Sequence, residues 1–202
     1  MAVGAILLAA GESSRMGRLK ALLPWGGRTL LEYQLDQVAA SRCATLVVVL
    51  GHEATRLRGL VHERPGLDLS IVENLDYRSG KSSSIRLGVG ALRPDLSAIL
   101  VLTVDQPRPS WVLDRLIGER ERAGALVAVP ANGGRRGHPP IFASALRDGL
   151  LAVSESEQGL RAVLRRHAAD LLAVEMNDPV VGLNLNSPEE YEAGRALSDS
   201  GK

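Results

Sequence analysis

The chain has 202 residues, of which 45% are hydrophobic and 23% are charged, and its 24 basic and 23 acidic residues leave a net charge of +1. This length suits one sizeable α/β domain, and the composition is that of a globular protein rather than a disordered one. The near balance of charge argues against a general nucleic-acid binder, which usually carries a basic excess. We therefore expect one domain over residues 1–202 that has no nucleic-acid partner and holds any anion in a local site.

The first apolar run, residues 3–8, has no basic segment before it and leads into a loop of glycine and serine, so it predicts a buried strand rather than a signal peptide. No apolar stretch approaches the roughly 20 residues that a membrane span needs. Cys43 is the only cysteine, which excludes an intrachain disulfide and a zinc site built on several thiolates. These features predict a cytoplasmic protein without a membrane partner.

Short apolar runs and amphipathic patterns alternate along the chain. The runs predict strands at residues 5–8, 46–50, 69–72, 99–103, 126–129 and 171–175. The patterns predict helices at residues 29–40, 53–61, 83–92, 110–123 and 157–167 and from Pro188 onward, with Ser110 as an N-cap and a loop at residues 131–140. This order predicts an α/β fold with a mostly parallel sheet and helices on both faces. Because ligands bind at the carboxyl ends of strands in such sheets, we expect the chemistry in the loops after the first, third and fourth strands.

The loop after the first strand reads Leu-Ala-Ala-Gly-Glu-Ser-Ser-Arg-Met-Gly-Arg-Leu-Lys over residues 8–20. Its glycines, Gly11 and Gly17, let the backbone approach a phosphate closely and point N–H groups at it. Arg15 offers a planar fork of donors and Lys20 a compact positive charge, so that together they can hold a triphosphate. The spacing fits neither a dinucleotide fingerprint nor a Walker A loop. The loop is therefore a candidate triphosphate site, with a solvated surface turn as the other interpretation.

A second glycine–lysine pair resembles the end of a Walker A loop. Gly80, Lys81 and Ser82 have the right order, but Leu75 stands where the motif needs its first glycine. We therefore predict that Lys81, unlike Lys20, has little effect on triphosphate affinity.

Asp105 follows the strand at residues 99–103 and is itself followed by Gln106 and Pro107. A carboxylate at the carboxyl end of a strand is well placed for Mg²⁺, which takes one or two protein oxygens together with phosphate oxygens. We therefore predict Asp105 as the main protein ligand of Mg²⁺. An Asx-turn that starts the loop is the alternative.

Two asparagines alternate near the C-terminus. Asn184 and Asn186 are two residues apart in an extended segment, so both side chains project to one face, where they are candidate ligands of a metal or a ribose. The next residues, Ser187, Pro188 and Glu190, need no functional explanation. They fit a capping box with proline at the first helical position.

A loop with the sequence Gly137-His138-Pro139 follows Arg135 and Arg136. We predict that this loop receives a phosphorylated acceptor. The histidine alone does not carry the prediction, because a single histidine in a loop is more often solvated than catalytic.

Taken in order, these motifs resemble those of a known enzyme family. Residues 8–20, Asp105-Gln106-Pro107, Gly137-His138-Pro139 and residues 184–190 are similar to the motifs of the molybdenum cofactor nucleotidyltransferases, and most closely to those of the cytidylyltransferases. The resemblance implies a Rossmann-like nucleotidyltransferase fold. It also implies an enzyme in which the terminal phosphate of molybdopterin attacks the α-phosphorus of CTP and pyrophosphate leaves. A client molybdoenzyme is a further partner that the resemblance leaves open.

The resemblance assigns roles to the residues at the motif positions. Nucleotidyl transfer needs positioning and charge neutralisation more than covalent chemistry, and the residues expected to supply these are Arg15, Lys20 and Asp105. The resemblance also implies that Gly11 and Gly17 contact the triphosphate, and that Asn184 and Asn186 bind Mg²⁺ beside Asp105. The residues implied to contact the base are Leu8, Ala9, Ala10, Gly80, Ser83 and Ser84. Those implied to contact the acceptor are Gly137, His138 and Pro139.

Two of the motifs point to different nucleotide bases. Asn184 and Asn186 stand where many cytidylyltransferases have aspartates and guanylyl relatives have asparagines, whereas Ala10 matches the cytidylyl pattern Leu-Ala-Ala-Gly. We expect CTP rather than GTP. The alternatives are guanylyl transfer, another phosphorylated acceptor such as a sugar phosphate or methylerythritol phosphate, and a non-catalytic module that delivers cofactor.

Overall fold

The computed structural model describes residues 2–200, apart from the side chains of residues 15, 199 and 200. The strands are β1 (Val3–Ala9), β2 (Pro24–Trp25), β3 (Arg28–Thr29), β4 (Cys43–Leu50), β5 (Asp68–Glu73), β6 (Ala98–Thr103), β7 (Val127–Asn132), β8 (Arg135–Arg136), β9 (Ile141–Ala143) and β10 (Leu171–Glu175). The α-helices are α1 (Leu30–Ala39), α2 (Ala54–Arg58), α3 (Lys81–Ala91), α4 (Ser110–Ala123), α5 (Arg147–Leu151), α6 (Leu160–Arg166) and α7 (Pro188–Ser200).

Eight strands form one sheet in the order β10-β7-β9-β6-β1-β4-β5, with β8 paired to β7, and β2 pairs with β3 in a separate hairpin. Strands β5, β4, β1 and β6 are parallel to one another, and so are β7 and β10. Strand β9 lies between β6 and β7 and is antiparallel to both. The prediction of a mostly parallel α/β sheet is therefore confirmed.

The central strand β1 shows why helices cover both faces of the sheet. All seven of its residues are buried. Ala5 and Leu7 share one hydrophobic core with α1 and α4, whereas Ile6 and Leu8 share the other with α3 and α6. A strand with apolar side chains on both sides needs a layer of helices against each face. The predicted two-sided cover is confirmed.

The short strand β9 was missed in the sequence, because three buried residues are too few for an alternating pattern to show. It places the loop before it beside β6, where the N–H of Val101 donates to the carbonyl of Pro140 at 3.1 Å. Residues 131–140, predicted as a loop, also contain the end of β7 and all of β8. Gly133 and Gly134 turn the chain between these strands with φ of 57° and 77°, values that favour glycine.

Two helices begin later than predicted because the backbone before them is left-handed. Helix α6 begins at Leu160 rather than at residue 157, since Gln158 and Gly159 have φ of 67° and 57°. Helix α2 begins after Glu53, whose φ is 52°, and ends before residue 61. The chain before α6 is therefore a loop, and this loop contributes to the cleft described below.

The two predicted helix caps have opposite outcomes. Ser110 was predicted as the N-cap of α4, which is wrong: it is the first helical residue, Pro109 is the N-cap, and the Ser110 N–H donates to Gln37 Oε1 at 2.9 Å. The capping box before α7 is confirmed. The Glu190 N–H donates to Ser187 Oγ at 3.3 Å, and the Ser187 N–H donates to Glu190 Oε2 at 3.2 Å.

The parallel register brings three predicted loops to one edge of the sheet. Leu8 of β1 pairs with Thr103 of β6, and Leu50 of β4 pairs with both Ala9 of β1 and Glu73 of β5. The loops that follow these strands therefore start side by side. The single domain stays a prediction, which the one large sheet supports. Within the described part of the chain, no helix combines the length and the apolar character needed to cross a membrane.

Two glycines of α3 give a matched test of how closely this helix packs on the sheet. A Cβ at Gly88 would lie 2.9 Å from Val49 Cγ2 and 3.2 Å from Ile6 Cγ2, whereas a Cβ at Gly90 would meet Leu151 Cδ2 at 3.9 Å. We expect Gly88→Ala to lower the free energy of unfolding by about 1–3 kcal/mol, because overpacking pushes α3 off the sheet. Gly90→Ala should raise it by up to about 1 kcal/mol, because alanine is the better helix former. Urea denaturation measures both, and equal effects would contradict this packing.

Candidate active site

A cleft of about 620 Å³ opens at the carboxyl ends of β1 and β6. This volume lies in the range of small-molecule binding sites. One side of the cleft is the loop after β1, and another is the loop after β6 together with Asn184 and Asn186. The start of α3, residues 155–161, which contact it through Glu155, and the Gly-His-Pro loop close a third side.

The ammonium group of Lys20 joins two of these sides. Its Nζ donates to Asp105 Oδ2 at 3.0 Å and to Asn186 Oδ1 at 2.9 Å. The Lys20 side chain is only 10% exposed and the Asp105 side chain 21% exposed, so the ion pair is largely shielded from water. An ammonium carries three N–H donors, which leaves one for a further acceptor. Oxygens from two separate segments thus converge on one positive charge.

The carboxyl group of Asp105 is held in its ionised form. Burial by itself raises the pKa of Asp105, but the charge of Lys20, the hydrogen bonds with Thr103 and Lys20 and the charge of Lys81 together outweigh burial, and the pKa lies below its ordinary value. Asp105 therefore keeps a negative charge beside these positive groups throughout the neutral pH range. Such a group is suited to bind a cation.

Backbone geometry fixes the loop after β1. Ser13 Oγ accepts a hydrogen bond from the Lys20 N–H at 3.0 Å, and Gly17 has a φ of 63°, in the region that favours glycine. A Cβ at Gly11 would meet nothing within 4 Å, so open space lies in front of this backbone. The side chain of Arg15 lies outside the described residues, and its contact with a triphosphate stays a prediction.

Asn74 orients two serines at the start of α3. Its Nδ2 donates to Ser83 Oγ and to Ser84 Oγ, in both cases at 2.8 Å. The hydroxyl of Ser83 donates in turn to the Gly80 carbonyl at 2.8 Å, and Ser83 does not line the cleft. Ser84 does line it, and because it accepts from Asn74 its own proton is free to point at a ligand. Of the two serines predicted to face the base, Ser84 is the one that reaches the cleft.

Position 137 requires a glycine, because the backbone there lies very close to the backbone of Val181. Its N–H donates to the Pro130 carbonyl at 2.7 Å, and a Cβ at this position would lie 2.2 Å from the Val181 carbonyl oxygen. The neighbouring His138 N–H donates to the same Val181 carbonyl at 3.3 Å. The Gly-His-Pro loop is therefore fastened to the segment that leads to the two asparagines.

The imidazole of His138 lines the cleft in its neutral form. His138 is exposed at the surface of the cleft, but its partial burial there and the positive charges of Arg108 and Lys81 lower the pKa of His138 to about 4. The opposing effect of Asp105 is smaller. At pH 7 the ring can therefore donate or accept a hydrogen bond without adding charge.

The guanidinium of Arg108 is fully buried behind the cleft and ties three segments together. Nε donates to the His138 carbonyl at 2.7 Å, Nη1 to the Pro107 carbonyl at 2.7 Å, and Nη2 to the carbonyls of Val181 and Leu183 at 2.8 and 2.9 Å. Burial lowers the pKa of Arg108 to about 9, which still leaves it charged at pH 7. The Arg108 side chain thus fixes the relative positions of three segments: the loop after β6, the Gly-His-Pro loop and the residues that precede Asn184.

Two further contacts hold the backbone around Asp105. The Leu185 N–H donates to the Asp105 carbonyl at 2.8 Å. The buried amide of Gln34 donates to the carbonyls of Thr103 and Gln106 at 3.0 and 2.9 Å. The framework therefore positions this carboxylate independently of its ion pair with lysine.

The structure brings most of the predicted site residues to this one cleft. Those that line it are Leu8, Ala10, Gly11, Lys20, Gly80, Ser84, Asp105, His138, Asn184 and Asn186. The described side chains or glycines that were predicted at the site but do not line it are Ala9, Gly17, Ser83, Gly137 and Pro139. The roles assigned to these residues stay predictions.

Sequence reasoning missed several residues of the cleft. Tyr77, Glu155 and Arg161 line it without having been predicted, and Lys81 lines it although only a minor effect was expected of this residue. Lys81 could have been found, because it begins a helix whose start was placed near the base. The other three, like Arg108 behind them, have no local sequence signal, since long-range folding alone brings them together.

Replacing Arg108 tests whether it organises the cleft. Arg108→Met should lower the free energy of unfolding by about 3 kcal/mol or more, because four buried carbonyl oxygens lose their donor. Arg122→Met is the matched control, since Arg122 pairs with Glu119 on the surface and such pairs contribute at most about 1 kcal/mol. Urea denaturation of both variants measures the difference, and a loss below about 1 kcal/mol for Arg108→Met would show that the buried network contributes little.

Comparison with protein families places the cleft in a known context. Residues 5–171 match the family described as MobA-like NTP transferase domain. This stretch contains the loop after β1, Asp105 and the Gly-His-Pro loop, which are three parts of the cleft.

Two relatives match along nearly the full length of both chains. Nicotine blue oxidoreductase of Paenarthrobacter nicotinovorans is 31% identical over 195 residues, which are 93% of this chain and 94% of the relative. Molybdenum cofactor cytidylyltransferase of Escherichia coli (strain K12) is 26% identical over 197 residues, 94% of each chain. The relatives thus include two different activities.

The fold is shared with a solved structure. A nucleotidyl transferase from Methanothermobacter thermautotroptrophicus superimposes with a TM-score of 0.82 and 25% identity, covering 100% of this chain and 99% of that one. The predicted nucleotidyltransferase fold and the resemblance to the molybdenum cofactor nucleotidyltransferases are both confirmed. The chain belongs to the family of MobA-like NTP transferase domains.

Proposed function

We propose that this protein transfers CMP from CTP to the terminal phosphate of molybdopterin and releases pyrophosphate. The observation that carries the proposal is the convergence of Lys20, Asp105 and Asn186 at one end of a cleft that also contains Gly11 and His138. Nucleotidyl transfer requires of a protein mainly positioning and charge neutralisation, and this arrangement offers both. The cytidylyltransferase relative supports the choice of CTP and molybdopterin.

In the proposed reaction an oxygen of the acceptor phosphate attacks the α-phosphorus of CTP. A new P–O bond forms, the bond from the α-phosphorus to the bridging oxygen breaks, and pyrophosphate leaves with that oxygen. No general base is needed, because the acceptor phosphate is already an anion. Lys20 and the N–H groups of the loop at Gly11 stabilise the negative charge that accumulates on the leaving pyrophosphate.

We propose Asp105 as the main protein ligand of Mg²⁺, with Asn184 and Asn186 beside it. The oxygens of Asp105 and Asn186 already converge on a cation, the Lys20 ammonium, at 3.0 and 2.9 Å. Carboxylate and amide oxygens are ligands that Mg²⁺ accepts, with phosphate and water oxygens to complete its shell. The residues present therefore fit the metal, which would supply neutralisation of the triphosphate charge when bound.

The proposed site depends on the nucleotide for its remaining ligands. Within the described part of the chain, no cluster of three or more His, Cys, Asp or Glu side chains could hold a metal by itself. Mg²⁺ is commonly bound through one or two carboxylates and substrate phosphates rather than in an all-protein cage. When the metal and the nucleotide bind, we expect Lys20 to exchange at least one of its two oxygens for a phosphate oxygen, because its two present acceptors are the proposed metal ligands.

For the base, we propose cytosine. Ala10 lines the cleft where β1 ends, and we propose that its methyl group narrows the space next to Gly11 in a way that a glycine would not. A smaller base tolerates this narrowing better than a purine does. The Ser84 hydroxyl, which accepts from Asn74 and keeps its own proton free, can donate to an acceptor atom on the cytosine edge.

The 31% identity to nicotine blue oxidoreductase makes electron transfer to an organic substrate the second candidate function. That activity does not by itself require the Lys20–Asp105–Asn186 arrangement, which is why we place it second. Nucleotidyl transfer to another phosphorylated acceptor and delivery of a cofactor to a client molybdoenzyme are further alternatives. The assays below separate them.

Pyrophosphate release with each of the four ribonucleoside triphosphates tests the reaction. We expect release with CTP only when molybdopterin is present, and mainly the cytosine product when CTP and GTP compete at equal concentration. Ala10→Gly should lose part of this preference, because the cleft widens beside the base.

Other results of this assay have distinct meanings. A guanine product from the unaltered protein would overturn the base assignment and leave the reaction class intact. The absence of pyrophosphate with every triphosphate, together with a change in the absorption of nicotine blue when it is supplied with an electron donor, would replace the proposed function with the oxidoreductase.

Substitutions on the two sides of the cleft test the assigned roles. Asp105→Asn should reduce turnover by about 100-fold or more, because a preorganised charge contact is lost. The control is Asp95→Asn, whose carboxylate is 66% exposed and pairs with Arg93, and it should behave like the unaltered protein. Lys20→Ala should raise the KM for CTP or slow turnover strongly, whereas Lys81→Ala should leave the KM for CTP within a few fold. Near-normal turnover of Asp105→Asn at saturating Mg²⁺ would refute the metal assignment.

A further inference from the structure

The start of α3 faces the cleft without charge compensation from its own residues. The N-cap is Gly80, which has no side chain, and the first turn contains no acidic residue. The N–H groups at the start of a helix attract anions, because they are unpaired within the helix and carry the positive end of its dipole. Gly80, Lys81 and Ser82 all line the cleft.

A carboxylate from a distant part of the chain occupies this position. Glu155 Oε1 accepts a hydrogen bond from the Ser82 N–H at 2.6 Å. The side chain lies across Gly80, where an added Cβ would come within 2.4 Å of Glu155 Cγ. Glu155 is exposed and belongs to the loop before α6, so it can leave without disturbing the core. The carboxylate marks the place where an anionic group of a ligand can bind.

The hydroxyl of Ser82 is a second, independent sign of a binding site. Ser82 is 1% exposed and lines the cleft, and its Oγ has no hydrogen-bond partner among the described residues. A buried hydroxyl without a partner costs free energy unless a ligand or water satisfies it. Gly159 packs closely beside this hydroxyl, and a Cβ there would lie 3.1 Å from Ser82 Oγ.

Two cations complete the surroundings. Lys81 and Arg161 line the cleft, and neither forms an ion pair with any described residue. Both charges help to lower the pKa of His138, and that of Lys81 also helps to lower the pKa of Asp105. On the opposite side, Lys20 is already engaged by two oxygens.

We propose that the start of α3, with Ser82, Lys81 and Arg161, binds the phosphate monoester of the acceptor, and that Glu155 occupies this site until the acceptor displaces it. This inference rests on the proposed function for the identity of the acceptor. It distinguishes a triphosphate side at Lys20 from an acceptor-phosphate side at Gly80 and Ser82, and it moves Gly80 from the base, which Ser84 still contacts in the proposed function, to the acceptor. It also gives Glu155 a role in selectivity, because a ligand without a strong anion cannot replace a carboxylate that is already bound.

Methyl phosphate, the smallest phosphate monoester, tests the site without any assumption about the acceptor. It is titrated into the full chain while backbone amide signals are followed by NMR. Signals of Gly80 and Ser82 report the proposed site, and signals of Gly11 and Lys20 report the triphosphate side. We expect the first pair to shift, and Glu155→Gln to bind methyl phosphate about 3-fold more tightly or better, because the amide keeps the hydrogen bond but removes the competing charge.

The two cations are tested with a matched control on the same helix. Arg161→Met and Lys81→Met should weaken methyl phosphate binding about 3-fold or more. Arg165→Met removes the same charge one helical turn away, outside this cleft, and should leave binding unchanged. In the transfer assay, Arg161→Met and Lys81→Met should raise the KM for molybdopterin and leave the KM for CTP within about 2-fold.

The outcomes separate this inference from the proposed function. Shifts confined to Gly11 and Lys20, or equal behaviour of Arg161→Met and Arg165→Met together with no gain for Glu155→Gln, would overturn the inference even if CMP is transferred to molybdopterin. Binding at Gly80 and Ser82 with the expected ranking of variants would support the site even if molybdopterin is not the acceptor. In that case the proposed function alone would fail.

Discussion

The cleft depends on one buried positive charge. The guanidinium of Arg108 is 1% exposed and is satisfied by carbonyl groups of three segments that are far apart in the sequence. Removing a charge from water is costly unless its donors find acceptors, and the planar fork of arginine can meet several acceptors at once. These hydrogen bonds restrict the backbone conformations of the loops that they join. Arg108 forms no ion pair with any of the described residues, so its positive charge is not neutralised and acts on the groups that line the cleft.

That charge helps to explain the electrostatic state of the neighbouring groups. It contributes, after burial, to the low pKa of His138, so the imidazole next to the acceptor side is neutral at pH 7. Asp105 remains ionised because the nearby lysines outweigh the effect of burial on its pKa. The cleft therefore contains one fixed carboxylate at the triphosphate side and one displaceable carboxylate, Glu155, at the start of α3. Asp105 accepts a hydrogen bond from Lys20, and Glu155 accepts one from the Ser82 N–H; we expect a bound phosphate to accept from these same donors.

Which parts of the fold and the site could be predicted depended on how far apart in the sequence the interacting residues lie. The loop after β1 and the acid after β6 were predictable, because local motifs and the parallel β–α order determine where they lie. The two asparagines were predictable for the same reason, and both line the cleft. Strand β9 was not predictable, since its three buried residues carry no periodic signal.

Long-range contacts account for what was missed at the site. Glu155 meets Ser82 across 73 residues, and Arg108 meets Leu183 across 75. Nothing in the sequence next to Arg108 or Glu155 distinguishes them from surface charges, because their partners are backbone groups that only the folded chain brings near. Lys81 illustrates the intermediate case. Its spacing is not that of a Walker A loop, yet its position at the start of α3 brings it into the cleft.

The most direct test of the account is a crystal structure of the protein with a non-hydrolysable CTP analogue and Mg²⁺. We predict that the triphosphate lies against the loop at Gly11, that Asp105 contacts the metal, and that Lys20 has exchanged at least one of its two oxygens for a phosphate oxygen. The contacts of Arg108 should be unchanged, because it sets the framework rather than the ligand. A triphosphate bound away from Gly11, with Lys20 still paired to both Asp105 and Asn186, would contradict the central claim that these residues form a nucleotidyl-transfer site.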